Sequence, residues 1–292
     1  MARTKGSGKS TAPKKPWKKI LYGSREYPDN YTDSSFLQEL RTNVHVHTVS
    51  FREAILGAGR VTNAICIVVL FSIVFVYLYN QLVDANTVFV YSCAGSILGY
   101  LWYRSQSDFQ NGYWTCFYRD ARMVAIFLSV GFASSPILKT LTETISTDTI
   151  YAMTVFMMLL HLCFKDYGVS PALVSSSLSF NAAIFGSICL ASRLASSFHA
   201  FVLLSLSVEA FVLLPLLMVE AGRSLCILIL VISVTIGALW SLSPPMTVFF
   251  VLLICFVNLI CPIWFLKWQI HKENIYGPWD EAVVEDADNI VS

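Results

Sequence analysis

The stretch from Arg60 to Trp264 consists of long apolar segments joined by short polar connections. Crossing a bilayer takes roughly 20 apolar residues in a helix, and backbone groups that face lipid must be paired within the protein. We therefore predict an all-α fold, a polytopic transmembrane helical bundle of about eight spans. The predicted spans lie near residues 61–79, 87–103, 121–138, 149–164, 171–192, 198–219, 224–241 and 246–265.

The distribution of charge predicts how these spans are oriented. Charged residues make up 13% of the chain, against about 25% in an average soluble domain. With eight spans, 18 of the 20 Lys and Arg fall on one side of the membrane, and only Lys139 and Arg193 fall on the other. Because cytoplasmic connections are enriched in Lys and Arg, we expect both termini to be cytosolic.

Composition divides the chain into four regions. Residues 1–16 are rich in Lys, Ser, Gly and Pro and are predicted to be a disordered basic tail. Residues 17–60 are predicted to be a cytosolic or interfacial amphipathic region, and residues 61–266 the transmembrane helical domain. Residues 267–292 are predicted to be a cytosolic C-terminal segment whose helix ends at Gly277-Pro278.

An amphipathic helix is predicted in the region that precedes the first span. It is expected to begin near Ser35, where Gln38 completes a capping box. Apolar residues then recur at helical spacing at Phe36, Leu40, Val44, Phe51 and Ile55. Such a helix would lie in the membrane interface or dock on another subunit, and the sequence leaves both interpretations open.

A polar stretch at residues 135–153, SPILKTLTETISTDTIYAM, interrupts the apolar pattern. Polar groups at membrane depth need protein partners or a wet cavity, so this stretch is either a turn on the far side of the membrane or an interior site. Lys139, Glu143 and Thr147 recur every four residues and would share one helix face, with Lys139 paired to Glu143. Asp148 suits the N-cap of the fourth span.

Several single polar residues lie inside the apolar segments. Glu209 falls near the middle of the sixth predicted span, where a carboxylate is costly. It is either part of a functional site, or it is protonated or hydrogen-bonded to a neighbouring helix, and both interpretations stay open. Asn181, Asn258 and His161 are predicted to be interhelical hydrogen-bond partners rather than ligands.

Arg193 and His199 flank the connection between the fifth and sixth predicted spans, in the segment CLASRLASSFHAF. An anionic lipid headgroup would find a cation there. Snorkelling of the Arg193 side chain to the membrane interface explains its position about as well.

The chain carries no recognisable catalytic motif. It contains no H-E-x-x-H, G-x-S-x-G or dinucleotide fingerprint. His45 and His47 are two residues apart, so they would not share a helix face that holds a metal. We therefore predict no catalytic residues, no metal site and no cofactor for this chain by itself.

Four segments of the chain resemble the PIG-C family, the C subunit of phosphatidylinositol N-acetylglucosaminyltransferase. The similarity runs from about Trp17 to Ala282 and is carried by ILYGSREYPDNYTDSSFLQELRTN, SPILKTLTETISTDTIYAMTVFM, CLASRLASSFHAF and CPIWFLKWQIHKENIYGPWDEA. The resemblance implies a multi-pass protein of the endoplasmic reticulum membrane within a multisubunit complex. That complex transfers N-acetylglucosamine from UDP-N-acetylglucosamine to phosphatidylinositol, the first step of GPI-anchor biosynthesis, on the cytosolic face.

In that family the glycosyltransferase fold belongs to another subunit, of PIG-A type, and the PIG-C subunit has no assigned catalytic residues. We therefore expect a non-catalytic membrane subunit that scaffolds the complex, with presentation of phosphatidylinositol as a further candidate role. The expected partners are the catalytic subunit, other membrane subunits, phosphatidylinositol and bilayer lipids, and no nucleic acid. The candidate residues for lipid binding or assembly are Lys139, Glu143, Asp148, Arg193, His199 and Glu209.

Two other classes of function remain open at this point. A lipid transporter or scramblase would use the third and fourth spans, which are predicted to be short and interrupted near Pro136, as a discontinuous pair. The chain shows no internal repeat, which argues against this alternative. A stand-alone lipid-modifying enzyme would need a cluster of carboxylates or histidines, and the sequence provides none.

Overall fold

The computed structural model describes residues 41–42, 48–106, 113–140, 144–167, 175–220, 225–272 and 275–276. These residues belong to two compact units. The larger unit comprises Val49–Lys267, and the smaller one takes its described residues from both ends of the chain. The predicted basic tail at 1–16, the helix start at Ser35 and Gln38, and His45 and His47 lie outside the described residues.

The smaller unit contains a short antiparallel ladder. Strand β1, Arg41–Thr42, pairs with β2, Ile275–Tyr276, with Arg41 opposite Tyr276 and Thr42 opposite Ile275. The predicted amphipathic helix from Ser35 to Ile55 is therefore wrong at residues 41–42. The predicted C-terminal helix end is also wrong, because the last helix ends at Gln269 and a strand follows it.

Helix α1 begins at Phe51 because Ser50 caps it. The Ser50 hydroxyl accepts from the Glu53 amide at 3.3 Å, and the Glu53 carboxylate accepts from the Ser50 amide at 2.9 Å. This reciprocal pair is a capping box, which satisfies two amides at the helix start. The sequence contains the signal Ser-x-x-Glu, which the predicted start near Ser35 overlooked.

The larger unit is built from helices throughout its described part. They are α1 Phe51–Tyr79, α2 Ala85–Gln106, α3 Tyr113–Thr140, α4 Thr147–Phe164, α5 Ser176–Ala191, α6 Ser197–Val208, α7 Leu214–Glu220, α8 Leu225–Leu242, α9 Pro244–Cys255 and α10 Cys261–Gln269. A π-helical turn, Glu209–Leu213, joins α6 to α7, and a second, Phe256–Ile260, joins α9 to α10. The two turns make α6–α7 and α9–α10 continuous helices.

Side-chain contacts place the start of α1 beside the ends of two later helices. The Arg60 guanidinium donates to the carbonyl of Tyr167, just after α4, and the Asn63 amide contacts the Met218 sulfur on α7. At the opposite end of α1, the hydroxyls of Tyr77 and Ser241 are hydrogen-bonded, which places the end of α8 there. The ends of α4 and α7 thus lie towards the first half of α1, and the end of α8 lies towards its last turn.

Helix α1 is the centre of the larger unit because it packs on two sides. Phe71 and Phe75 on one side join a cluster with residues of α4, α5 and α6, and the Phe71 ring lies 5.1 Å from Phe211 in an edge-to-face arrangement. Cys66 and Ile73 on another side join a second cluster with α8 and α9. Apolar residues on several sides of α1 fit a helix with neighbours in more than one direction, and α1 has the largest buried share of the five candidate spans in the described part.

Five helical segments of the described part are long and apolar enough to cross a membrane. They are Phe51–Tyr79, Phe117–Leu138, Thr147–Phe164, Ser197–Met218 and Pro244–Gln269. Two shorter apolar helices, Ser176–Ala191 and Ile227–Leu242, coincide with two further predicted spans. The prediction of an all-helical membrane protein is thus confirmed for the described residues outside the β1–β2 ladder, and the number of eight spans stays a prediction.

Helix α3 differs from the expected third span. It runs without interruption from Tyr113 to Thr140 and contains Pro136 within it, so the predicted break near Pro136 is wrong. The Thr140 hydroxyl donates to the Pro136 carbonyl at 3.3 Å and to the Ile137 carbonyl at 3.0 Å. These bonds secure the last turn of α3, whereas the carbonyl that loses its helical partner to proline is that of Phe132, four residues earlier.

Candidate functional site

Glu209 opens the π-helical turn between α6 and α7. The Ser92 hydroxyl of α2 donates to its Oε2 at 2.5 Å. Of the two interpretations that the sequence left open, the structure favours a carboxylate that is hydrogen-bonded to a neighbouring helix. π-Helical turns occur often at functional sites because the inserted residue changes the direction of the neighbouring side chains.

His161 on α4 is an interhelical hydrogen-bond partner, as predicted. Its Nδ1 lies 2.9 Å from the Ser179 hydroxyl and 3.0 Å from the Ser179 carbonyl, both on α5. The ring is only 1% exposed, and its centroid lies 5.0 Å from that of Phe211. The pair ties α4 to α5 inside the larger cluster, and Ser179 itself carried no signal in the sequence.

Asn258 lies in the second π-helical turn and also fulfils its prediction. Its Nδ2 donates to the Thr62 hydroxyl on α1 at 2.7 Å and to the Ile254 carbonyl at 2.9 Å. Asn181, for which the same role was expected, is an exposed residue of α5. The two π-helical turns thus each present a polar side chain to another helix.

Arg193 and His199 flank the turn between α5 and α6, as the sequence predicted. The Arg193 Nη2 donates to the Ile145 carbonyl at 3.0 Å, which ties this turn to the residues before α4. The His199 Nδ1 lies 2.7 Å from the Ser196 hydroxyl, and Ser196 caps α6 by accepting from the His199 amide. These contacts fix the turn, while binding of a headgroup by either residue stays a prediction.

The polar stretch at 135–153 forms the end of one helix and the start of the next. The N-cap of α4 is Ser146, whose hydroxyl accepts from the Thr149 amide at 3.3 Å, so the assignment of Asp148 as N-cap is wrong. Asp148 is exposed in the first turn of α4. Ser, Thr and Asp all cap helices well, and this stretch offers several in a row, so sequence alone does not select among them.

The proposed common helix face of this stretch is also wrong. Lys139 lies at the end of α3 and Thr147 begins α4, so the two residues belong to different helices. Glu143 lies outside the described residues, as does the side chain of Lys139. Their predicted pairing therefore stays a prediction.

A polar cluster that the sequence reading missed lies where α4 ends beside α1. Besides the bond from Arg60 to the Tyr167 carbonyl, the Tyr167 hydroxyl donates to the Leu162 carbonyl at 2.8 Å. Burial raises the pKa of the Tyr167 phenol to about 12 and lowers the pKa of the Lys165 ammonium, since both charged forms lose hydration. The sequence feature that could have indicated this cluster is the run of polar residues directly after the fourth predicted span.

The chemistry of these positions is that of helix packing. Their hydrogen bonds join α1, α2, α4, α5 and the two π-helical turns. In the part of the chain that the structure describes, no three His, Cys, Asp or Glu side chains are grouped as a metal site would require. The arrangement is suited to holding helices together and to meeting other membrane helices.

Comparison with known proteins identifies the family. The family model described as phosphatidylinositol N-acetylglucosaminyltransferase matches residues 17–280. The chain is 37% identical to the C subunit of phosphatidylinositol N-acetylglucosaminyltransferase from Homo sapiens, over 92% of this chain and 93% of that protein. It is 33% identical to the phosphatidylinositol N-acetylglucosaminyltransferase GPI2 subunit of Schizosaccharomyces pombe, over 92% and 87%.

A third relative shows the same extent of similarity along this chain. The putative C subunit of phosphatidylinositol N-acetylglucosaminyltransferase from Dictyostelium discoideum is 34% identical, over 92% of this chain and 79% of that protein. No solved structure matches the chain. Since the similarity spans nearly the whole chain and most of each relative, the chain belongs to the PIG-C family, the C subunits of phosphatidylinositol N-acetylglucosaminyltransferase.

Proposed function

We propose that this chain is a non-catalytic membrane subunit of the complex that transfers N-acetylglucosamine from UDP-N-acetylglucosamine to phosphatidylinositol. The observation that carries the proposal is the similarity over 92% of the chain to relatives that are named as subunits of this transferase. Three polar side chains inside the described helices, Glu209, His161 and Asn258, support it, because they form interhelical hydrogen bonds. The subunit acts as a scaffold for the complex in GPI-anchor biosynthesis.

The proposed location is the endoplasmic reticulum membrane, with eight spans and both termini cytosolic. The uneven distribution of Lys and Arg supports this orientation. The course of the last helix supports an even number of spans. It follows Ser241, which is bonded to Tyr77 at the end of α1, and its Asn258 is bonded to Thr62, nearer the beginning of α1. The cytosolic side would then carry Arg60 and Lys165.

The proposed partners are a catalytic subunit of PIG-A type, other membrane subunits of the complex, phosphatidylinositol and bilayer lipids. The residues proposed for lipid binding or assembly remain Lys139, Glu143, Asp148, Arg193, His199 and Glu209. Arg193 and His199 lie together in the turn between α5 and α6, which supports a joint role. Glu209 lies within a membrane span, which supports a role in assembly.

The test of the proposal is removal and replacement of this chain in cells. Without it we expect transferase activity in the membranes to be lost and the other subunits to separate on purification. Re-expression of the wild-type chain should restore both, and so should the variant Leu252→Ala, a change at a side chain that is 63% exposed on α9. Full activity of a complex that lacks this chain would contradict the proposal.

A second measurement separates scaffolding from lipid presentation. With eight spans, the turn between α5 and α6 lies on the side opposite the cytosolic face. We therefore expect Arg193→Ala to leave the KM for phosphatidylinositol unchanged and to weaken co-purification of the other subunits, because it removes the bond to the Ile145 carbonyl. A raised KM would instead place this turn at the lipid substrate. His199→Ala is the matched variant in the same turn. Unchanged KM values in both variants would show that this turn does not present the lipid. The proposed scaffold role would be unaffected by that result.

A further inference from the structure

Only one of the two carboxylate oxygens of Glu209 has a hydrogen-bond partner among the described residues of this chain. Its Oε2 accepts from Ser92, whereas its Oε1 has no hydrogen-bond partner among the described residues. Glu209 lies near the middle of the span Ser197–Met218 and is partly exposed. At that depth water is not present to hydrate the second oxygen, so a donor from another molecule would stabilise it.

The second π-helical turn provides a comparison inside the same chain. There the side chain of Asn258 uses its amide for two hydrogen bonds, to Thr62 and to Ile254. Asn258 thus joins two helices of this chain with its donor group in full use. Glu209 joins α6 to α2 in a similar way through Ser92. The second oxygen of Glu209 differs from the Asn258 amide oxygen in strength, since a carboxylate oxygen is the stronger acceptor.

Helices α2 and α3, which both pack on the helix that leads into Glu209, leave much of their surface uncovered by this chain. Only 6% of the span Phe117–Leu138 in α3 is buried inside this chain, against 44% of the span in α1. Helix α3 packs on α6, where the Phe132 ring lies 5.5 Å from Phe201. Helix α2 also packs on α6, and its Leu98 is 68% exposed.

The surface of α2 close to the carboxylate is open to a neighbouring helix. Gly95 lies one helical turn from Ser92, and a Cβ added there would meet no atom within 4 Å among the described residues. On the helix of Glu209 itself, Leu213 and Leu216 are 43% and 57% exposed. Small residues allow membrane helices to approach closely, and a polar side chain nearby adds a directional bond.

From this geometry we propose that a transmembrane helix of another subunit docks on the Glu209 surface, which we define as Glu209, Leu213 and Leu216 with the exposed sides of α2 and α3. The docked helix donates a hydrogen bond to Glu209 Oε1 from a hydroxyl, amide or basic side chain. The exposed side of α9 is a less suitable docking surface, because the span Pro244–Gln269 carries no acidic residue that could accept such a bond. The inference rests on the proposed function, since the occupant belongs to the same complex.

Site-specific photocross-linking of the full chain in native membranes tests the position of the surface. Photoreactive residues are placed at Leu98, Val124 and Leu216, which are 68%, 56% and 57% exposed, and at the control positions Ile229 on α8 and Leu252 on α9, which are 62% and 63% exposed. We expect cross-links to one other subunit from the first group and lipid adducts from the controls. Equal cross-linking of a subunit from both groups, or lipid adducts alone from the first group, would overturn the inference.

Substitution of the carboxylate tests the hydrogen bond. We expect Glu209→Leu to reduce co-purification of the cross-linked subunit by roughly tenfold, as befits the loss of a hydrogen bond to a charged group. Glu209→Gln keeps an acceptor oxygen and should retain the subunit. Ser92→Ala removes only the bond within the chain and should also retain it, which separates docking from a packing defect between α2 and α6.

The outcomes also separate this inference from the proposed function. If Glu209→Leu leaves co-purification unchanged, or if Ser92→Ala lowers it as strongly, the docking role of Glu209 is rejected. In that case, loss of the complex on removal of the whole chain would still support the proposed function. If removal of the whole chain leaves the complex intact and active, the proposed function itself fails.

Discussion

At the scale of single residues, the bond between Thr62 and Asn258 joins two helices that are far apart in the sequence. Thr62 is fully buried on α1, and its hydroxyl oxygen accepts from Asn258 Nδ2 at 2.7 Å. Loss of one such bond costs about 1 kcal/mol in proteins. Between membrane helices the average is nearer ~0.6 kcal/mol.

We expect Thr62→Val to lower the thermal stability of the purified chain because it removes the acceptor for Asn258 and keeps the side-chain volume. Thr154→Val is the control, since the Thr154 hydroxyl donates to the Ile150 carbonyl of its own helix. The double variant with Asn258→Leu should cost less than the sum of the two single changes. Additive costs measured by thermal unfolding in detergent would show that the bond contributes nothing.

Lys165 predicts a dependence of stability on pH. Burial lowers its pKa from 10.5, so the unfolded chain binds more protons than the folded chain between the lowered value and 10.5. Its contribution to stability is therefore complete above 10.5 and is lost as the pH falls through the folded-state pKa.

We expect Lys165→Met to reduce the loss of thermal stability between pH 10.5 and about pH 8. The stem length is kept, so packing is largely preserved. Lys267→Met, at an exposed position of α10, is the control and should leave the pH profile unchanged. Identical pH profiles for the wild type and Lys165→Met would contradict the assignment.

At the scale of elements, the start of α4 shows which polar residue caps a helix. Ser146 has extended backbone angles and accepts from the Thr149 amide, whereas Asp148 lies inside the first turn. We expect Ser146→Ala to lower stability by about 1 kcal/mol and Asp148→Ala by roughly 0.3 kcal/mol, the lower end of a charge interaction with the helix dipole. Thermal unfolding of both variants checks this, and the reverse order would restore Asp148 as the cap.

The packing of α4 on α5 depends on a glycine. A Cβ on Gly186 would lie 3.2 Å from the Met158 Cε and 3.4 Å from the Met157 Cβ. We expect Gly186→Val to cost about 1–3 kcal/mol because it overpacks this interface. Gly237→Val on α8 is the matched control, since a Cβ there meets no atom within 4 Å, and an equal loss of thermal stability in both variants would rule out crowding.

The sequence did not predict the β1–β2 ladder or the two π-helical turns, and the physical reason is the same for both. The β1–β2 ladder joins residues more than 200 positions apart, and local periodicity carries no information about such pairing. The two π-helical turns each contain five residues within otherwise regular helices. Their apolar pattern is compatible with an α-helix, so only the positions of the neighbouring helices distinguish the two.

At the scale of the whole molecule, the topology makes a direct prediction. The proposed orientation places both termini in the cytosol, so tags at either end should be accessible to antibody after selective permeabilisation of the plasma membrane. The sequon Asn30-Tyr31-Thr32 should remain without glycan, although it is a valid acceptor motif. As a control, a sequon-bearing insertion between Asn80 and Asp84 should be glycosylated, and a glycan on Asn30 would reverse the orientation.

The sequence by itself determined the class of the protein and the approximate position of the apolar helices in the described part of the chain. These properties follow from local composition, because length and hydropathy decide whether a segment fits a bilayer. It also indicated that His161 and Asn258 would join helices, since polar side chains inside spans seek partners.

Only the tertiary structure decided which helices touch and which side of each one faces them. In a membrane bundle, lipid-facing and protein-facing surfaces are both apolar, so periodicity does not separate them. Nothing local distinguishes α1 at the centre from α3 at the rim, although 44% of one span and 6% of the other are buried. The half-satisfied carboxylate of Glu209 became visible for the same reason, since its partner Ser92 lies on another helix.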